Sequence, residues 1–89
     1  MCHIKTNSNI RTGSDLSGMI CGIILRQCVP FRKESIVSLA KEHSRGAAFP
    51  ITDKGLESMI DDRLDLYERN DDLLHRRGMY YPRALERYL

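Results

Sequence analysis

Leu73-Leu74-His75-Arg76-Arg77-Gly78-Met79-Tyr80-Tyr81 is the stretch on which the fold turns. Leu73-Leu74-His75-Arg76 and Met79-Tyr80-Tyr81 flank Arg77-Gly78, and the helical period that governs the preceding residues stops here. Two short runs around a glycine turn predict a β-hairpin. Alternation along the second run sends one of Tyr80 and Tyr81 to the core and the other outward.

Upstream of the hairpin, three segments carry helical spacing. Thr52 caps the nearest, which runs to about Asn70 with Leu56, Met59, Ile60, Leu64 and Tyr67 on one stripe, and Ile51 can staple onto Leu56. A second helix spans residues 33–44, with Ile36, Val37, Leu39 and Ala40 apolar and Gly46 placed to stop it. The first starts at an N-cap supplied by Ser14 or Asp15, carries Leu16, Met19, Ile20, Ile23 and Ile24, and ends near Cys28 because Pro30 cannot continue it. Gly18 and Gly22 share a face, which predicts a close helix–helix approach or two tolerated defects. Val29-Pro30-Phe31 is short and extended, and residues 44–52 form a loop with room for a short strand at 47–51. Residues 1–13 are polar and lack a period, so they read as a flexible arm before a single domain over 14–89. Pro82 suits the first turn of a last short helix, with Leu85, Tyr88 and Leu89 on one side.

The order is therefore α+β: three helices, a hairpin and a short C-terminal helix. This order resembles a winged helix-turn-helix domain, in which the second and third helices form the DNA-reading unit and the hairpin is the wing. The matching residues are 33–44, 52–70 and 73–81, with Arg76-Arg77-Gly78 at the wing tip. A second registration stays open. Ile51-Thr52-Asp53-Lys54-Gly55-Leu56 is similar to a passage of PadR- and MarR-like regulators in which the last wing strand enters the following helix. That resemblance makes residues 45–51 part of the wing, 33–44 the recognition helix and 53–70 a dimerisation helix. The first registration is preferred, since only one helix precedes Lys33.

Charge decides which surfaces suit nucleic acid. The chain has 89 residues, 14 Lys and Arg against 12 Asp and Glu, and a net charge of +2. Residues 1–50 carry seven basic and three acidic side chains, 51–72 three and eight, and 73–89 four and one. The nominal recognition helix is thus the most acidic part, and Asp61, Asp65 and Glu68 form an outward row that repels phosphate. Duplex binding is expected instead through the wing and second helix, by Arg32, Lys33, Lys41, Arg45, Arg76 and Arg77. The competing reading is a protein-interaction or dimerisation domain that uses Asp61, Asp65 and Glu68 with the apolar Leu85 and Tyr88. Each feature also has a plainer account, as solvated charge with help from pairs such as Asp65 and Arg69.

Other classes fit poorly. Gly18 to Leu25, the longest apolar stretch, falls far short of a membrane span. Three cysteines make no disulfide framework; Cys21 and Cys28 read as small hydrophobes in the helix seam, with reduced thiols pointing to the cytoplasm. Cys2, His3, Cys21, Cys28, His43 and His75 lack the spacing of a zinc motif, so no metal or cofactor is expected. His43 reads as a partly buried structural histidine; no nucleophile has an identifiable base, and adjacent Asp61 and Asp62 point about 100° apart on a helix. The expectation is a non-enzymatic DNA-binding regulator, with double-stranded DNA, a protein partner or a second copy as the partner.

Overall fold

The computed structural model describes residues 10–45, 51–83 and Leu85. Three helices, α1 (Gly13–Leu25), α2 (Lys33–Ser44) and α3 (Asp53–Arg69), precede an antiparallel hairpin of β1 (Leu73–Arg76) and β2 (Met79–Pro82). The expected α+β order holds over these residues, and α2 has the bounds its spacing predicts.

One face of each helix closes the core. Leu16, Ile20, Ile23 and Ile24 of α1 meet Ile36 and Ala40 of α2 and Leu56, Ile60 and Leu64 of α3, with Ile10, Phe31 and Leu73 completing the buried cluster. Met19, Val37, Met59 and Tyr67 pack at its edge, so the stripes read from α1 and α3 are the stripes buried. Leu39 departs from expectation and is exposed, because α2 turns only the face of Ile36 and Ala40 inward.

The entry to α1 also differs. Thr12, not Ser14 or Asp15, is the N-cap: its hydroxyl accepts from the Asp15 N–H, while the Asp15 carboxylate accepts from the Thr12 N–H. Asp15 therefore sits at the third helical position and completes a capping box. Ile10, two residues before the cap, is buried, so packing begins inside the segment read as an arm; residues 1–9 lie outside the described residues. The Asp15 carboxyl is held below its ordinary value, chiefly by the backbone N–H of Arg11 and then by Thr12. A depressed carboxyl supports the fold above its unfolded pKa of about 3.9, and the support disappears as pH falls through the lower folded value. Asp15→Asn is therefore expected to be less stable than the parent at neutral pH, with the gap closing in acid. Urea midpoints measured across that range check it.

At its other end α1 stops at Leu25, where the Arg26 N–H returns to the Gly22 carbonyl and the Gln27 side-chain amide donates to the Ile23 carbonyl. Cys28 consequently lies beyond the helix and is exposed, not in a helix seam; Cys21 is half-buried. Gly18 and Gly22 mark no helix contact. Among the described residues, a Cβ at Gly18 would meet nothing within 4 Å, and one at Gly22 only the Arg26 guanidinium. Gly18→Ala should then raise the unfolding free energy by about 1 kcal/mol, the helix-propensity difference, in equilibrium urea unfolding.

Helix α3 begins as its sequence predicts, with the Thr52 hydroxyl accepting from the Gly55 N–H and Ile51 packed against the core. It ends in a Schellman motif, in which Asp72 N–H reaches the Tyr67 carbonyl and Asp71 N–H the Glu68 carbonyl, with Asp71 at a left-handed φ of 65°. Pro82 belongs to β2 opposite Leu73 and not to a following helix; a non-hydrogen-bonded position suits a residue with no N–H. Of the expected C-terminal helix only Arg83 and Leu85 are described, both in a 3₁₀ turn, and Tyr88 and Leu89 lie outside the described residues. Residues 46–50, which include Gly46 and most of the expected 47–51 strand, also lie outside them.

Candidate nucleic-acid interface

Arg76 pairs with Met79 across a two-residue turn, and both turn residues, Arg77 and Gly78, have positive φ (53° and 78°). That is the pattern of a type I′ hairpin turn, whose twist matches the strands. Glycine adopts it freely, whereas a left-handed arginine costs roughly 1–2 kcal/mol. Arg77 thus occupies a position where Asn or Gly would fold more easily.

Hydrogen-bond phase along β2 explains how a third segment joins the hairpin. In the tight turn Arg76 and Met79 bond to each other, so the polar backbone groups of Tyr80 point away from β1. Phe31 takes both: its N–H donates to the Tyr80 carbonyl at 2.9 Å, and its carbonyl accepts from the Tyr80 N–H at 2.7 Å. Phe31 is therefore extended, as read, whereas Val29 lies in a bend, and the bridge brings α2's N-cap beside the hairpin.

Two unlike faces result. On the inner face His75, Tyr80 and Phe31 lie in a row across the three segments, with Tyr80 stacked on Phe31 (centroids 5.6 Å apart) and on His75 (4.1 Å). This ladder runs from the buried Phe31 to the exposed His75, whose Nδ1 lies 3.4 Å from Glu68 of α3. Burial, followed by the carboxylates of Glu68 and Asp61, holds the Tyr80 hydroxyl above its ordinary pKa. On the outer face the alternation places Arg32 beside Met79 and Arg76, while Tyr81 sits opposite Leu74 one step along. The Arg32 guanidinium reaches the turn itself: a Cβ at Gly78 would lie 3.9 Å from its Nη1.

Arg32, Arg76 and Arg77 thus gather at one end of the hairpin. All three are exposed, and none has a carboxylate within ion-pair distance among the described residues. The other expected cations are placed differently. Lys33 crosses to α3 and bonds Asp61 at 2.8 Å and Glu57 at 3.3 Å, and Asp61 chiefly holds its ammonium above the ordinary lysine value. Lys41 lies 3.7 Å from Asp53. Arg45 follows the last residue of α2, about 20 Å from Arg32 at the helical rise per residue. The second helix is therefore no basic strip, because α3 consumes its lysines. Proximity of Arg32 to the turn depends on the pairing of Phe31 with Tyr80, and no local pattern around Arg32 announces it.

The residues read as a partner surface divide between α3 and a separate groove. Asp61 is tied to Lys33, Asp65 accepts from Arg69 at 3.1 Å as its spacing predicts, and Glu68 faces His75. Leu85 lines a separate groove with Ile24, Cys28, Leu73, Pro82 and the exposed Leu25. His43 is half-buried, as expected, and lines a small cleft with Met19, Ile23 and Arg26. Among the described residues, no group of three His, Cys, Asp or Glu side chains is placed to hold a metal ion, and no helix is long and apolar enough to cross a membrane.

No protein family, curated protein or solved structure matches this chain, so the reading of the interface rests on its own geometry and charge.

Proposed function

We propose that this chain is a non-enzymatic, nucleic-acid-binding module of winged-helix type, a DNA-binding regulator in which the hairpin edge, and not α3, meets the phosphates. The observation that carries it is the convergence of Arg32, Arg76 and Arg77 on one two-residue turn with no carboxylate partner among the described residues. Three uncompensated guanidinium groups on a narrow projection suit a phosphate backbone, for which arginine supplies paired donors. The order of elements supports the winged-helix reading, as does the third segment at Phe31. This reading follows the first registration; the second places its wing at residues 45–51, most of which lie outside the described residues.

Fluorescence anisotropy of a labelled random duplex, titrated at low and at physiological salt, tests the proposal. Three neutralised phosphates imply a log–log salt slope of about −3. Absence of binding at low salt would overturn it and leave the carboxylates of α3 as the surface to test against protein partners. The observation favouring that second reading is the surplus of acid along α3, where Asp62 adds to carboxylates that Lys33, Lys41 and Arg69 only partly neutralise.

A further inference from the structure

A second site lies on the opposite seam, where α1 packs against α3. Ser17, Met59, Asp62, Arg63, Leu66 and Arg69 line a cleft of about 340 Å³, which reaches the lower end of the range for small-molecule pockets. Its floor is apolar, formed by the half-buried Met59 and Leu66. Arg63 stands at its wall, half-buried, with one Nη donating to the Ser17 hydroxyl at 3.2 Å. A guanidinium carries five N–H donors and a full charge, yet among the described residues no carboxylate lies within ion-pair distance of Arg63. Partial burial of a cation without its counter-ion is costly, and the neighbouring cation Arg69 is already engaged by Asp65. The hydroxyl of Ser17, fixed by Arg63, supplies a further polar group at the same wall.

From this cleft we infer a binding site for a small organic carboxylate with an apolar body. The carboxylate takes the free donors of Arg63, and the body lies over Met59 and Leu66. A bare inorganic anion satisfies the charge but leaves the apolar floor wet, and a neutral alcohol covers the floor but leaves the charge unpaired. Asp62, exposed at the rim and without an ion partner among the described residues, offers a place for an ammonium group on the same ligand. Free fatty carboxylates and apolar α-amino acids share the core chemistry, and Asp62 separates them.

Hexanoate, norleucine, hexanol and inorganic phosphate are the probes, followed by amide chemical shifts of the whole chain. Hexanoate is expected to move the amides of Ser17, Met59, Arg63 and Leu66 in a saturable way and to leave those of Arg76 to Tyr80 unmoved. Hexanol and phosphate are expected to bind at least about tenfold more weakly, the loss for one charge-assisted pair or for the buried body. Norleucine binding tighter than hexanoate, with the advantage lost in Asp62→Asn, identifies an amino-acid site; the reverse order identifies a fatty-carboxylate site. Arg63→Met, which keeps an apolar stem of similar length, is expected to abolish hexanoate binding with the thermal melt retained. Equal binding of hexanol and hexanoate, shifts scattered over the surface, or full affinity in Arg63→Met would overturn the inference. The shift map of the parent protein decides the matter even if Arg63→Met fails to fold.

Discussion

Replacing Ile60 by Ala is expected to cost about 2–5 kcal/mol, the range for emptying a fully buried aliphatic site. Ile60 has no exposed surface and lies at the middle of α3, within a core whose other fully buried side chains include Leu16, Ile20, Ile36 and Leu64. Domains of this size have roughly 0.05–0.15 kcal/mol of stability per residue, so the loss is a large fraction of the total. Thermal unfolding should shift down by at least roughly 8 °C, given about 4–8 °C per kcal/mol for a domain of under 100 residues. Leu25→Ala is the contrasting case. Leu25 is 61% exposed, so its truncation is expected to change stability by no more than about 0.5 kcal/mol. Calorimetry or urea unfolding of the pair checks the core directly. Equal effects would mean that α3 does not bury the face of Ile60 against α1 and α2.

The same contrast shows what the sequence could convey. Ile60 belongs to a run, Leu56 to Tyr67, with spacing of three and four residues over about three turns, which only a helix satisfies, and Thr52 marks the helix start. Arg77-Gly78 between short alternating runs is equally local, because turn geometry depends on the two residues inside it. Leu25 carries the same apolar character as Ile24 but sits off the stripe at the last turn, and composition cannot separate them. Capping at Thr12 was obscured by three competing polar residues within four positions. The pairing of Lys33 with Asp61 and Glu57 depends on α2 beginning beside the middle of α3, a tertiary crossing with no local signature. Arg63 in turn reads as one more charge on an acidic helix until α1 brings Ser17 to it. What the sequence conveyed least was therefore the choice of free cations from among all cations.

That choice yields the sharpest functional prediction. The triple variant Arg32→Ala, Arg76→Ala and Arg77→Ala is expected to flatten the salt dependence of duplex binding from a log–log slope of about −3 to near zero, since each phosphate no longer neutralised removes about one unit. Affinity should fall by at least about a hundredfold at low salt, where the electrostatic contribution is largest. Folding should survive, since all three side chains are exposed and none has a carboxylate partner among the described residues. Lys33→Ala separates position from mere charge. It removes the same unit of charge, but that charge is spent on Asp61 and Glu57, so the salt slope should hold while stability drops by up to about 1 kcal/mol. Arg77→Asn separates binding from folding in the other direction. Asn tolerates positive φ better than Arg, so the hairpin should gain stability while the slope loses about one unit. A gain in stability coupled to a loss in binding is the signature of an arginine kept at a strained turn for its charge. If Lys33→Ala flattened the slope as Arg76→Ala does, phosphate would be meeting the α2–α3 face, and the hairpin edge would no longer account for binding.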